Sequence, residues 1–445
     1  MMKATTLDSK SMGVSAVPLS VDVLVVLAYA GLTILIPKLD VGGVTFYITE
    51  PLFFLAVLSS LAYAKYRIVG AIDRTYLLFC AMSFFAFWEG YFYTGLLDLQ
   101  SAARIVKYVV YAAMLSFGVL YRDRITERNV RNIITIQIFF VAVAGLYVLF
   151  NIARLHPSAV QLIWSYSNQF RLVGMTGYVI QGAHLALIGT TSVSMGVFIA
   201  FIGLLCTSFY GCTRRSRYLV AAAVVAIGEL LTFSRTGLVV LLMGWSYMAW
   251  INRHSRRLLQ SIVAACLIIA SLMAVFGTKE VLQLASLGSL LRFSSSQGGL
   301  FDASTNQRIS YLVDAVRYIE GHPLSLLFGT GYGENYTYAL IGTPHLESLI
   351  MTTLFQCGIF TTIILIVHFY AIWRSARQYR KSSQKDLWSQ IMAGIEAFVP
   401  GFFVANLIGG NSLQTDFFAP LFYFLIGISL AKLRSMNGLF RTRHS

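Results

Sequence analysis

The chain has 445 residues, 57% of them hydrophobic and only 12% charged, and it carries a formal net charge of +15. Soluble domains carry about twice that charged fraction and lack such long apolar runs, so the composition excludes a soluble globular protein. Only helices or a closed barrel satisfy their backbone in lipid; the runs here are continuous rather than alternating, so they read as helices.

In chain order, roughly twelve spans are predicted, centred on about residues 21–37, 46–64, 76–95, 103–120, 132–151, 182–207, 217–234, 236–252, 258–277, 345–372, 388–409 and 416–433, each close to the ~20 apolar residues a bilayer requires. The first, "VDVLVVLAYAGLTILI", has no A-x-A-like site after it and reads as an uncleaved span. The seventh and eighth are separated only by a "SRTG" turn. Alternate loops from the N-terminus to the C-terminal tail hold 24 of the 34 lysines and arginines. By the positive-inside rule both termini are cytoplasmic. The positive charge is therefore topological, and no nucleic-acid partner is expected.

Two loops on the other side are long: 152–181, containing "RLVGMTG", and 278–344. Within the second, "STNQRISYLVDAVRYIEGHPL" predicts an amphipathic helix at about 305–320. Ser304 and Gln307 have capping-box spacing, Ile309, Leu312, Val313, Val316 and Ile319 form an apolar stripe, and Gly321 and Pro323 end the helix. Such a helix lies against the membrane surface or packs on the bundle. No separate soluble domain, repeat or low-complexity tract is visible, so residues 1–445 read as one integral membrane domain.

The charges set in or beside apolar sequence are the candidate site. Arg235 falls in the turn between the seventh and eighth spans, at the outer surface, and a membrane-edge charge is a functional candidate by default. Arg308 opens the amphipathic helix, where a cation opposes the helix dipole and where a bound anion would be held by helix and guanidinium together. His345 sits in "GTPHLESLIMTTLF"; Thr343 is the expected cap and Pro344 the expected first residue of the tenth span, so the helix N-terminus would favour a neutral imidazole, suited to act as a general base. All three fall on the outer face. Guanidiniums grip phosphate oxygens in a bidentate fork, and a base serves an attacking hydroxyl. The set fits transfer of a sugar from a diphosphate leaving group.

Arg171 is a further external arginine for phosphate or sugar, and Glu347 shares the first turn with His345 as a residue to orient it or to complement the dipole. Glu229 reads as a buried partner of a basic or polar group. Tyr311, Tyr332, Tyr336 and Tyr338 suit sugar stacking and suit an interfacial aromatic belt equally. "GTGYGENY" is superficially like a potassium-channel filter, but the valine is missing and twelve spans do not suit a fourfold pore; a glycine-rich turn approaching a ligand or the bundle is the better reading. Cys80, Cys206, Cys212, Cys266 and Cys357 are scattered and form neither a metal site nor a disulfide framework. There is no D-x-D motif, no Walker A loop and no G-x-S-x-G, so no metal and no cofactor are expected.

Together these segments resemble the O-antigen polymerase and O-antigen ligase superfamily of bacterial inner-membrane glycosyltransferases. "LTFSRTGLVVLL", "NQRISYLVDAVRYIEGHPLSLLFGTGYG" and "TPHLESLIMTTLFQCGIF" carry the likeness, in order, over about residues 180–375. One departure is Leu346, where the family often has Asn after the histidine. The resemblance implies an all-α, GT-C-like polytopic bundle of about 12 transmembrane helices with a large periplasmic loop. It implies a glycan donor on undecaprenyl diphosphate, a lipid-linked acceptor, catalysis by His345, Arg308 and Arg235, inversion at the anomeric carbon, and a flippase and chain-length regulator as partners. The acceptor would be a repeat unit for a polymerase of exopolysaccharide, capsule or O-antigen, and lipid A–core for a ligase. A twelve-span transporter or flippase is the competing class; it should show paired broken helices in two halves.

Overall fold

The computed structural model describes residues 21–32, 38–41, 44–47, 53–54, 70–95, 97–152, 192–232, 234–251, 303–343, 346, 348–381, 386–408 and 418–441. Helices make the architecture: α1 (Val21–Leu32), α2 (Ala71–Thr94), α3 (Leu99–Leu120), α4 (Glu127–Ile152), α5 (Ser192–Thr213), α6 (Ser216–Thr232), α7 (Arg235–Ile251), α8 (Ala303–Gly321), α9 (Leu324–Phe328), α10 (Glu334–Ile341), α11 (Leu349–Lys381), α12 (Leu387–Ile408) and α13 (Phe418–Arg441). The helical architecture is the expected one, and a short hairpin adds to it. Strands Lys38–Val41 (β1) and Val44–Tyr47 (β2) pair antiparallel, with Lys38 opposite Tyr47 and Val41 opposite Val44. β2 takes the first residues of the span expected at 46–64.

Four helices among the described residues are long and apolar enough to cross a membrane, in Leu99–Leu120, Met195–Thr213, Leu349–Arg380 and Leu387–Leu407; Thr236–Ile251 is a shorter apolar helix. The protein is a multi-pass helical membrane protein, but twelve crossings are not what these residues display. Other helices coincide in place with predicted spans and differ in length or polarity. α6 and α7 have 17 residues each, about 26 Å of helix, against a hydrocarbon core of roughly 30 Å. α2 carries Asp73, Arg74 and Glu89 within its apolar sequence. The spans expected at 258–277 and over most of 46–64, and the loop at 152–181 apart from its first residue, lie outside the described residues.

α5 is the hub. It is buried almost all round and packs on α6, α7 and α12, while α12 also meets α7, α11 and α13. Phe201 of α5 meets Phe398, Phe418 and Phe422 edge-on at 5.0–5.5 Å, tying α12 and α13 to it. α3 lies along α13, and α2 lies between α3 and α11.

The helix directions gather the basic loops at one end. Arg434 of α13 donates to the Tyr379 hydroxyl of α11 (3.2 Å), Lys432 lies over the Trp388 ring of α12 (5.9 Å), and Arg131 of α4 donates to the Tyr218 hydroxyl of α6. The buried Glu396 of α12 pairs with Arg380 of α11 and accepts from the Tyr247 hydroxyl of α7 (2.9 Å). An arginine and a phenol thus satisfy a carboxylate that would be costly alone in the bundle.

Candidate functional site at the opposite end

At the other end of the bundle, α6 gives way to α7. Ser234 caps α7: its Oγ accepts from the Gly237 N–H (3.0 Å) and its carbonyl from the Leu238 N–H (3.1 Å). Arg235 is therefore the first residue of α7, beside backbone N–H groups and the positive end of the dipole. The turn is pressed onto α5. A Cβ placed on Gly237 would meet the Gly196 backbone at 2.5 Å, and one on Gly196 would meet Ser234 Cβ at 2.5 Å and Glu229 Oε1 at 2.9 Å. Glu229 is buried, as expected from sequence, with its carboxyl wedged at this glycine crossing. Small residues let the two backbones meet here, as membrane helix interfaces require.

α12 carries the same end to α11. A Cβ on Gly401 would lie 2.8 Å from the Val240 carbonyl of α7, and the two helices run antiparallel. Stepping five residues back along α7 reaches Arg235, and five forward along α12 reaches Asn406. The Asn406 carbonyl accepts from Ser348 Oγ (3.0 Å), and Ser348 Oγ in turn accepts from the Met351 N–H (3.3 Å). Ser348 is thus the cap of α11, which corrects the expected cap at Thr343: the helix starts at Leu349, and His345 precedes the cap rather than lying in the first turn. The competing signal was Ser348 itself, whose hydroxyl ties two helices as well as capping one.

Leu346, the residue after His345, is buried against Ala315 of α8 and Phe355 of α11, with Tyr311, Tyr318 and Ile319 packed around them. Arg308 lies two turns before Ala315 along α8. α8 begins at Ala303, so Ser304 is inside the helix rather than its cap and Arg308 belongs to the second turn, which removes the expected help from that helix N-terminus. The start of α7, the end of α12 and the Ser348 cap of α11 thus lie at one end, opposite the basic loops, and α8 packs on Leu346 beside that cap. The side chains of Arg235 and Arg308, and residues Arg171, His345 and Glu347, lie outside the described residues.

The "GTGYG" segment has an answer in the backbone. α11 breaks at Gly358 (φ 79°, ψ 176°). The break releases carbonyls that the loop then satisfies: the Thr330 N–H donates to Phe355 O (2.9 Å) and the Gly331 N–H to Gln356 O (3.1 Å). On the other side, the Tyr332 N–H donates to Ala86 O of α2 (3.1 Å). Gly331 (φ 109°) lets the loop pass α2, where a Cβ would sit 2.5 Å from Gly90 Cα. The loop is buried and packs on the bundle.

The chain running on toward His345 is held from below. Gln356 Nε2 donates to Thr337 Oγ1 (2.8 Å) and Gly333 O (3.3 Å), Arg104 of α3 pairs with Glu334 at the start of α10, and Tyr332 donates to the Tyr108 hydroxyl (3.0 Å). Sequence reasoning missed Gln356, Arg104 and Glu334; a glutamine and a glycine two residues apart in an apolar run were the available signal. Tyr332 and Tyr336 are buried and present no ring for a sugar, whereas Tyr338 is exposed.

A multi-pass helical bundle with charged, turn-borne residues at its less basic end is the class these features define. Residues 226–366, about a third of the chain, match the family model described as O-Antigen ligase. That stretch is similar to the O-antigen ligase family, and it takes in the Arg235 turn, all of α8 and the sequence positions around His345. No curated protein matches the chain.

Proposed function

We propose that the protein is a polysaccharide polymerase of the bacterial inner membrane. It transfers a glycan from undecaprenyl diphosphate to the hydroxyl of a lipid-linked acceptor repeat unit, at a site facing the periplasm with both termini in the cytoplasm. The acceptor oxygen attacks the anomeric carbon, the bond from that carbon to the diphosphate oxygen breaks, and the electron pair leaves with undecaprenyl diphosphate. His345 takes the acceptor proton. Arg235 and Arg308 hold the diphosphate and stabilise the charge it gains. Arg171 and Glu347 contact substrate. A single displacement inverts the anomeric configuration, and no metal takes part.

One observation supports this reading: the start of α7, which bears Arg235, lies at the same end of the bundle as Ser348, away from the basic loops, and α8, which bears Arg308, packs on Leu346 beside it. A transporter would instead line a midplane cavity. The shortness of α6 also supports it. With its Arg214–Arg217 end anchored at the cytoplasmic headgroups, about 26 Å of helix brings the Arg235 turn near, and not far beyond, the outer edge of the hydrocarbon, where a lipid diphosphate lies.

The description of the matched family favours a second reading, a ligase that passes finished polymer to lipid A–core. Deleting the gene in its host and analysing lipid-linked and surface glycans separates the two. Single repeat units without polymer mean a polymerase. Polymer that stays on the polyprenyl carrier means a ligase. Normal surface glycan overturns both.

A further inference from the structure

We infer that α8 and α9 form a docking surface for the outer leaflet of the bilayer, so that the helix bearing Arg308 lies in the membrane interface rather than free in the periplasm. With 3.6 residues per turn and Ala315 taken as facing the bundle, Val316, Ile309 and Val313 fall at about 100°, 120° and 160° around α8. These three are 40–43% exposed. Ser310, Asp314 and Arg317 fall on the other flank at about 200–260°, where Asp314 and Arg317 form an ion pair (3.7 Å). The helix therefore has three sectors: one packed on protein, one apolar and open, one charged. Glu320, at about 140°, closes the apolar sector where Gly321 ends the helix.

A soluble loop helix has no use for the open apolar sector, and lipid is the occupant its surroundings select. α9 continues the sector with Leu324, Leu326, Leu327 and Phe328 all exposed, Leu324 at 70%. α9 packs on α11 at the Gly358 break. α11 is one of the four helices apolar enough to cross the membrane, and beyond the break it exposes Phe360, Ile363, Val367 and Tyr370 along one face. α8, α9 and this span are thus packed neighbours that each expose an apolar face. This is the three-sided pattern of an interfacial helix that also has a protein partner. The consequence that Arg308 is held at headgroup depth for a lipid diphosphate rests on the function proposed above; the docking itself does not.

The test uses the full-length chain in proteoliposomes, with Val313→Cys, Val316→Cys and Ser310→Cys made singly in a cysteine-free background and spin-labelled. Collision with oxygen, which concentrates in lipid, should dominate at 313 and 316. Collision with a water-soluble nickel chelate should dominate at 310. Nickel-dominated labels at 313 and 316 would overturn the proposal, as would labels there shielded from both reagents, which would mean that a protein covers the face. The readout is independent of catalysis, so an Arg235→Ala version gives the same labels whether or not the glycosyltransferase reading survives.

Discussion

Arg235 stands at the first position of α7, where a cation opposes the helix dipole and costs about 0.3–1 kcal/mol. A position unfavourable for stability and favourable for an anion is what a diphosphate site needs. Removing a group that stabilises developing negative charge typically costs about 10²–10³ in rate. Arg235→Ala and Arg308→Ala should each lower transfer from a polyprenyl-diphosphate donor by at least that factor while the protein still inserts; a variant with near wild-type turnover would remove its arginine from the site. On the reading that His345 takes the acceptor proton, His345→Ala should be nearly inactive while the protein still inserts; turnover near wild type would remove the histidine from the site. Arg235 was legible in the sequence because charge in apolar sequence is conspicuous. The α11 cap at Ser348 was not, since its hydroxyl is fixed by the Asn406 carbonyl 58 residues away.

Between elements, the crossing of α5 and α7 sets where the Arg235 turn sits. Gly237 has Gly196 backbone and the Glu229 carboxyl where a methyl would go. Gly237→Ala should force the helices apart, lowering thermal stability in detergent by roughly 1–3 kcal/mol, the usual range for overpacking. It should also depress transfer with Arg235 untouched. If stability and activity were both unchanged, the crossing would not be holding the turn. The same scale explains the "GTGYG" loop. Its glycines are visible in sequence, but their partner is a helix break more than 25 residues further on, and a break inside an apolar run leaves little local trace beyond Gly358 itself.

For the whole molecule, the gathered basic ends give a direct test of orientation. Cys212 is exposed near the end of α5 beside Arg214 and Arg215, whereas Cys80, Cys206 and Cys357 are buried. With Cys266 replaced by Ser, a membrane-impermeant maleimide should label Cys212 in inside-out vesicles and leave it unlabelled from the periplasmic side. Labelling from the periplasm would invert the topology and take the candidate site to the cytoplasm, where a flipped donor is absent.

By itself the sequence determined that the chain is a helical membrane protein, where most helices lie, which loops share a side, and which charged residues stand out. Hydropathy and charge are properties of short windows, and lipid enforces them strictly. Only the tertiary structure decided that the Arg235 turn shares an end of the bundle with the Ser348 cap, that α8 packs on Leu346 and offers an open apolar face, and that the glycine loop mends a broken helix. Those outcomes depend on contacts between residues tens to hundreds of positions apart, set by close packing of small residues and by backbone groups that must find partners away from water.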